Sequence, residues 1–392
     1  MAASCPDSDI LQLWVLSPIL SADYVDLKNP GLGYTKSYWD VKSGTSLHHF
    51  YLVPASSCPP VISPHSPSMP SFEEASTAVV AQGLASRLSD RGWSSLDPCS
   101  LFDSHCCLNL LFNQFNLVPG VHNARLLEGP NINGEDLAGK FGGCIATSCD
   151  PREWAAGPLR TQVSGWVLRA DREDRVYLSV GVHPRFASLF SSSEFAQLER
   201  LVRGGARGLR RVVAMGDCGL DYSVTNPVSR SSQRRVFFDQ LVLGMKYNLP
   251  LVLYIRDAEE DGYQILEAAG VPSDYQLHRH CFTGAWSTAR AWLDKYPSSK
   301  IGVSGFITSP GSAPFQHAVR QIPLHRLLLE TDAPPLLPAG VDRHLYQSPM
   351  SQPGRLIHVA AKVAQLKNVS VREVLAANWR SVTEIYGIIL CP

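Results

Sequence analysis

The chain has 392 residues, 45% of them apolar and 18% charged, with 35 basic side chains against 35 acidic ones. That is enough apolar material for one large globular domain or two ordinary ones. Charge balance excludes a global field that would draw the chain to nucleic acid or to a membrane surface, so a polyanion must be held by a local patch or by metal ions.

The opening stretch Met1 to Leu20 carries Asp7 and Asp9 and no basic cluster, and Ser17 and Pro18 break its apolar run. It does not read as a secretory signal, and no segment approaches the ~18 consecutive apolar residues of a membrane span. The cysteines are scattered rather than clustered, so Cys106, Cys107, Cys144, Cys149, Cys218 and Cys281 are expected as reduced thiols in buried runs. The expectation is an intracellular monomer, nuclear or cytoplasmic, with no membrane partner; the sequence points to no particular protein partner.

Residues 1–98 form a distinct N-terminal extension. Leu11 to Val53 holds several aromatics, among them Trp14, Tyr24, Tyr34, Tyr38, Trp39 and Tyr51, without a sustained period of either helix or strand. Pro54 to Pro70 is rich in Pro and Ser and reads as a linker. A short helix is expected over Phe72 to Leu88.

From Leu101 a regular beat begins, and residues 99–392 read as one domain. Apolar, β-branched runs recur at Leu101-Phe102, Cys144 to Thr147, Val176 to Val182, Val212 to Met215, Leu251 to Ile255, Gln276 to His280, Lys300 to Val303 and Leu327 to Leu329. Amphipathic stretches separate them, at Ser193 to Arg203, Gln233 to Tyr247, Ala285 to Tyr296 and Pro314 to Gln321. Two more follow, at Gly354 to Leu366 and Ser370 to Tyr386. Eight such alternations predict an α/β fold with a parallel sheet, closed as a (β/α)₈ TIM-type barrel rather than left open.

Each predicted strand ends in polar groups: Asp103-Ser104-His105-Cys106-Cys107, Cys149-Asp150, His183-Pro184, Asp217, Tyr254 with Arg256-Asp257, His278 and His280, Ser304, and Asp332. In a barrel these ends converge on the face that carries the chemistry. Histidines, a cysteine and carboxylates meeting there suit a metal pocket. Taken singly, His183 before a proline also reads as structural, and His278 as a residue facing the outer helices.

These segments resemble the TatD-type metal-dependent hydrolases. Asp103-Ser104-His105-Cys106-Cys107-Leu108 is similar to their D-T-H-C-H-L, Gly181-Val182-His183-Pro184 to G-x-H-P, and Gly216 to Tyr222 to G-E-x-G-L-D-Y. Leu253 to Ala258 resembles I-H-C-R-[ED]-A, and His278 to Gly284 and Leu329 to Pro334 match closely. The resemblance runs in order over residues of about 100–388, and is strongest to the eukaryotic TatD-domain deoxyribonucleases with an N-terminal extension. It implies a barrel holding divalent metals, commonly two, that hydrolyses DNA phosphodiesters. By position, His105, Cys107, Asp217 and Asp332 would hold the first ion. Asp217, the Tyr254 position and His280 would hold the second. A water on the metal would attack, with Asp332 and Asp217 as catalytic carboxylates and Asp332 accepting the water's proton.

Three ligand positions depart from the family pattern: Cys107 and Tyr254 replace histidines, and Asp217 replaces a glutamate. Asn109 also stands where an acidic residue is usual. A thiolate shifts preference from Mg²⁺ or Mn²⁺ toward Zn²⁺, and a phenol with a pKa of about 10 is a poor ligand at neutral pH. One firmly bound ion is therefore expected rather than two, with weakened nuclease activity.

Two alternatives stay open: a catalytically impaired barrel that keeps nucleic-acid or protein binding, and a single-zinc amidohydrolase-like enzyme acting on a small ester or amide. Arg256 and His183 are the candidate substrate contacts, Arg256 for phosphate, with an ion pair to Asp257 or Asp221 as its other reading. Arg200, Arg203, Arg207, Arg210 and Arg211 would track a nucleic-acid backbone or form a solvated helix end, and Trp286 would stack a base or pack a helix.

Overall fold

The structure is a computed structural model and describes residues 35–40, 45–50, 96–98, 100–114, 140–154, 175–206, 211–339 and 350–389. The Pro/Ser-rich segment, the helix expected over 72–88, and Arg207 and Arg210 lie outside these residues. The chain divides into two units, Met1–Glu74 and Ala75–Pro392. In the first, β1 (Thr35–Asp40) pairs antiparallel with β2 (Thr45–Phe50), Thr35 opposite Phe50. The irregular aromatic pattern of this stretch concealed that hairpin.

The second unit holds a sheet of eight parallel strands in strict sequence order. They are β3 (Leu101–Cys106), β4 (Phe141–Ser148), β5 (Val176–Val180), β6 (Val212–Asp221), β7 (Leu251–Arg256), β8 (Leu277–Arg279), β9 (Lys300–Val303) and β10 (Leu327–Leu329). All lie where the apolar runs predict, because strands covered on both faces read as short unbroken apolar segments. The longest, β6, continues past Met215 through Asp217 to Asp221, with a register shift between Met215 and Cys218.

Around the sheet run α1 (Leu108–Gln114), α2 (Ser192–Ala206), α3 (Arg230–Lys246), α4 (Glu259–Ala268), α5 (Trp286–Lys295), α6 (Ala313–Gln321), α7 (Leu356–Lys367) and α8 (Val371–Tyr386). Helix α1 escapes the sequence pattern because it has only seven residues, and α4 because its large apolar side chains are confined to Tyr263, Ile265 and Leu266. Helix α4 starts on Glu259, Glu260 and Asp261, which suit a helix N-terminus, and buries Ile265 and Leu266. Helix α8 is the best delimited, with a Ser370–Glu373 capping box at its start and Gly387 in the left-handed conformation after its end. No described helix is long and apolar enough to cross a membrane.

Two apolar cores result. The larger joins the outward strand residues, such as Leu178, Leu253 and Val303, to helix residues, such as Leu241, Trp292 and Val359. The smaller gathers Phe102, Ile145, Ala214, Val252 and Leu328 from five strands with Trp379, Val382, Ile385 and Tyr386 of α8. The last helix therefore plugs the barrel interior. The Phe102 and Trp379 rings meet at 4.7 Å between centroids, within the range of favourable aromatic pairs.

Between β3 and β10 the seam is made largely by side chains. Asn378 of α8 accepts from Leu329 N at 2.8 Å and donates to Phe102 O at 2.8 Å. Ser104 Oγ donates to Leu329 O at 2.8 Å. Asp103 accepts from Thr331 N at 2.9 Å and from Thr331 Oγ1 at 2.5 Å. Two backbone bonds finish the closure, Asp332 N to His105 O at 3.1 Å and Cys107 N to Ala333 O at 2.7 Å.

After β4 a single turn, Pro151–Glu153, is capped by the Asp150 side chain. It buries Glu153, whose carboxylate accepts from Ser148 Oγ at 2.7 Å and from Asn109 Nδ2 of α1. Burial pushes the Glu153 carboxyl up to about 7.

Asn378→Ala leaves one buried donor and one buried acceptor unpaired, and should lower the unfolding free energy by about 2–5 kcal/mol in denaturant titration. A loss below ~1 kcal/mol would show that the seam closes without this side chain. For Glu153 the folded pKa lies above the unfolded value, so its contribution to stability falls as pH rises from about 4 to about 7. Glu153→Gln should remove that fall, a relative gain on the order of 3 kcal/mol at pH 8 over pH 4. Denaturation midpoints of the two proteins that stay parallel across this range would contradict it.

Candidate metal centre

The strand ends of β3, β6, β8 and β10 bring four ligand-type side chains together. His105 sits near the end of β3, Asp217 at the irregularity within β6, His280 just after β8, and Asp332 three residues past β10. His105 Nε2 is 2.9 Å from Asp217 Oδ1, and its Nδ1 is 3.5 Å from Asp332 Oδ1. His280 Nε2 lies 3.9 Å from the same Asp332 oxygen. The His105 and His280 rings stack at 3.6 Å. One ligand atom from each of His105, Asp217 and His280 falls within 4.8 Å of the others, as does one from each of His280, Cys281 and Asp332.

These residues fit a divalent ion. Two imidazoles and two carboxylates make a borderline donor set. His105 Nδ1 is buried and makes no hydrogen bond to any described group, which is costly unless another partner satisfies it. Burial disfavours a charged His105, yet the Asp217 carboxylate, and after it Asp332, hold its pKa well above the ordinary value. Burial likewise opposes ionised Asp217, but His105 and His280 hold its carboxyl below the usual range. Asp332 follows the same balance: burial opposes its charge, but His105 and His280 together hold its carboxyl below the usual range.

The grouping differs from the division expected by resemblance. His280 joins His105 and Asp217 in one set and Asp332 in another, so the two expected sites share their ligands. Asp217, although one methylene shorter than glutamate, still meets both histidines. Cys107 enters none of the sets among the described residues. Its carbonyl accepts from Leu110 N and Leu111 N at the start of α1, and a thiol extends less far from the backbone than an imidazole. Burial, with the negative charge of Asp332 and Asp217, pushes the Cys107 thiol well up, so it is neutral here. The thiol that does join a set is Cys281. Its place beside His280 in the sequence was the signal.

Tyr254 lies between two histidines, 4.5 Å from the His183 ring and 6.2 Å from the His280 ring. Burial raises its phenol far above the ordinary value, which leaves it un-ionised. His183 Nδ1 accepts from Arg185 N at 3.1 Å, capping the turn Pro184–Leu189. Burial lowers its pKa to about 4. Among the described residues no carboxylate lies within ion-pair distance of Arg256, so the expected alternative pairing with Asp257 or Asp221 is not seen; Asp221 meets Arg185 at 3.5 Å instead. The Arg256 guanidinium stands 5.4 Å from the Tyr254 ring. Both line a cleft of about 220 Å³ with Arg279, His280, Cys281 and Thr283.

Trp286 begins α5 and packs against the outer core. Asn109 lacks the acid usual at its position, but Glu153 supplies a carboxylate to the same spot. His278, expected on one reading to face the outer helices, instead points into the barrel. It pairs in register with the inward Val252 and meets Tyr386 of the plugging helix. Glu330 is not among the strand-end residues that the sequence singles out. It is wholly buried and lies 2.9 Å from His280 Nδ1.

A family model described as TatD related DNase matches residues 102–387. The 3'-5' RNA nuclease TATDN2 of Homo sapiens is 32% identical over 298 residues, covering 75% of this chain and 36% of that protein. This chain thus spans about a third of that relative's length. The 3'-5' ssDNA/RNA exonuclease TatD of Erwinia amylovora is 35% identical over 211 residues, covering 54% of this chain and 78% of that one. Among solved structures, the TatD homologue YJJV of Escherichia coli overlays 74% of this chain and 99% of its own, with a TM-score of 0.61 at 24% identity. The family match spans the whole barrel, from β3 to the end of α8, and this chain belongs to the TatD related DNase family.

Proposed function

We propose that this chain is a metal-dependent hydrolase of nucleic-acid phosphodiester bonds, in DNA or RNA, with one divalent ion held by His105, Asp217, His280 and Asp332. The observation that carries this reading is the convergence of buried His105, Asp217 and His280 and half-buried Asp332 beside a cleft in which Arg256 has no carboxylate partner among the described residues. The human and Erwinia relatives are named as nucleases of RNA and of ssDNA or RNA, which supports nucleic acid of either sugar as substrate. Imidazole donors, with Cys281 near, favour zinc or manganese over magnesium, which prefers an all-oxygen shell.

Bound there, a divalent ion supplies Lewis-acid activation of water and neutralises charge on the phosphoryl oxygens. The chain's own groups do the rest. Asp332, ionised and directed toward both histidines, takes the proton of the attacking water. Arg256 offers a planar pair of donors to a phosphate. With Nδ1 engaged, His183 presents a neutral Nε2 to the substrate. A second reading, a barrel that binds nucleic acid or protein without cutting it, is favoured by Tyr254. An un-ionised phenol there forfeits the second ion's clamp on the leaving oxygen.

Cleavage of single-stranded DNA and RNA oligonucleotides with Mg²⁺, Mn²⁺ or Zn²⁺ separates these readings. Cleavage by the native chain that is lost at least a hundredfold in Asp332→Asn supports the hydrolase. Cleavage only by the triple variant Cys107→His, Asp217→Glu, Tyr254→His assigns the native chain to the binding reading. Cys107→Ala should change activity less than threefold, since its thiol stands outside the ligand sets; a large loss would restore it as a ligand. Arg256→Ala should raise KM about tenfold or more, the scale of one lost charged hydrogen bond to phosphate, and equal KM values would remove Arg256 from the phosphate site.

A further inference from the structure

A continuous buried polar chain crosses the barrel interior from its plugging helix to the metal centre. Tyr386 Oη, on α8, is 2.6 Å from His278 Nδ1. His278 Nε2 is 3.1 Å from Glu330 Oε2, an off-axis contact. The same oxygen is 2.9 Å from His280 Nδ1, and Glu330 Oε1 accepts from Cys281 N at 2.7 Å. Exposure is 7% at Tyr386, 2% at His280 and nil at His278 and Glu330. Water therefore does not compete for these partners.

Protons can be assigned along the chain. Glu330 Oε1 accepts from the backbone N–H of Cys281 and its Oε2 stands between two imidazole nitrogens, so the carboxylate is the acceptor of the chain. His280 must then carry its proton on Nδ1, which leaves the Nε2 lone pair directed to the ion position beside Asp332. His278 must turn Nε2–H to the carboxylate, so its Nδ1 accepts from the Tyr386 hydroxyl. His278 Nδ1 and His280 Nδ1 each have one hydrogen-bond partner, and His278 Nε2 lies against the carboxylate without an aligned bond.

Space confirms that this carboxylate has one seat. A Cβ on Gly302 of β9 would lie 2.6 Å from Glu330 Oε1 and 2.7 Å from His278 Nε2. Only glycine leaves room for the pair to meet, and burying a carboxylate beside two imidazoles has no role in the packing of an apolar barrel.

We infer that Tyr386 and His278 are positioning residues: acting through Glu330, they lock the Nδ1–H tautomer and orientation of His280 and so raise the affinity of the centre for its ion. This rests on the reading of His280 as a ligand.

The test is equilibrium binding of Co²⁺ to the full-length metal-free chain, followed by competition with a chromophoric chelator and by the visible ligand-field spectrum. The variants are Tyr386→Phe, Glu330→Gln and the two combined. Phenylalanine keeps the α8 packing and deletes only the hydroxyl, and thermal unfolding of each metal-free variant reports on folding. Glu330→Gln should weaken Co²⁺ ten- to a hundredfold, the scale of a lost partner behind a ligand histidine. Tyr386→Phe should weaken it three- to tenfold with a shifted spectrum, and the double variant should bind no worse than Glu330→Gln alone.

Equal affinity and spectrum in Tyr386→Phe would overturn the inference while leaving the metal reading intact. Additive losses in the double variant would also overturn it, since Tyr386 would then not act through Glu330. Loss of a whole equivalent of bound metal in His278→Gln would make His278 a ligand and overturn its positioning role. No Co²⁺ binding by the native chain would overturn the metal reading itself, and this inference with it.

Discussion

Everything at the centre depends on how the first strand of the barrel meets the last. Strands β3 and β10 are joined by few backbone bonds, so side chains complete the seam: Asn378 at one level, Ser104 above it, Asp103 and Thr331 above that. The bond from Asp332 N to His105 O then sets two ligand residues side by side, although they are 227 positions apart in the chain. A parallel barrel cannot close through local contacts. The seam is where its sequence-distant chemistry is assembled.

The same closure explains why α8 matters to the site. A barrel of small strands leaves an interior that must be filled. Here one end is filled by Trp379, Val382, Ile385 and Tyr386 rather than by strand residues alone. This puts a hydroxyl inside the barrel below the candidate ligands at the strand ends. His278 and Glu330 span the distance. The buried ionised carboxylate is tolerable only because donors surround it, and such a network is rigid when complete.

The departures from the family pattern differ in consequence. Asp217 remains between two imidazoles, and a carboxylate missing at Asn109 returns as Glu153. Tyr254 and Cys107 are different. One presents an un-ionised phenol and the other a neutral thiol that stands outside the ligand sets. Four groups nevertheless suffice for one tetrahedral ion. Among the described residues the candidate ligands draw together around His280, and Arg256 stands in the adjoining cleft.

Much of this was legible in the chain itself. Unbroken apolar runs at a steady spacing determined eight parallel strands, because strands buried on both faces leave that signature and no other element does so at that length. The polar residues after the runs marked the side chains that the fold brings together, including His105, Asp217, His280 and Asp332. Helices α1 and α4 and the β1–β2 hairpin were not legible, being too short or too irregular to show a period.

The tertiary structure alone decided which of the candidate ligands meet. Cys107 and Cys281 each follow a histidine, at two residues and at one, and the path of the backbone at each strand end decides which thiol joins a ligand set. It also decided that His278 faces inward. Register with Val252, not the sequence of a three-residue strand, determines on which side a side chain stands, since a slip of one residue reverses every face.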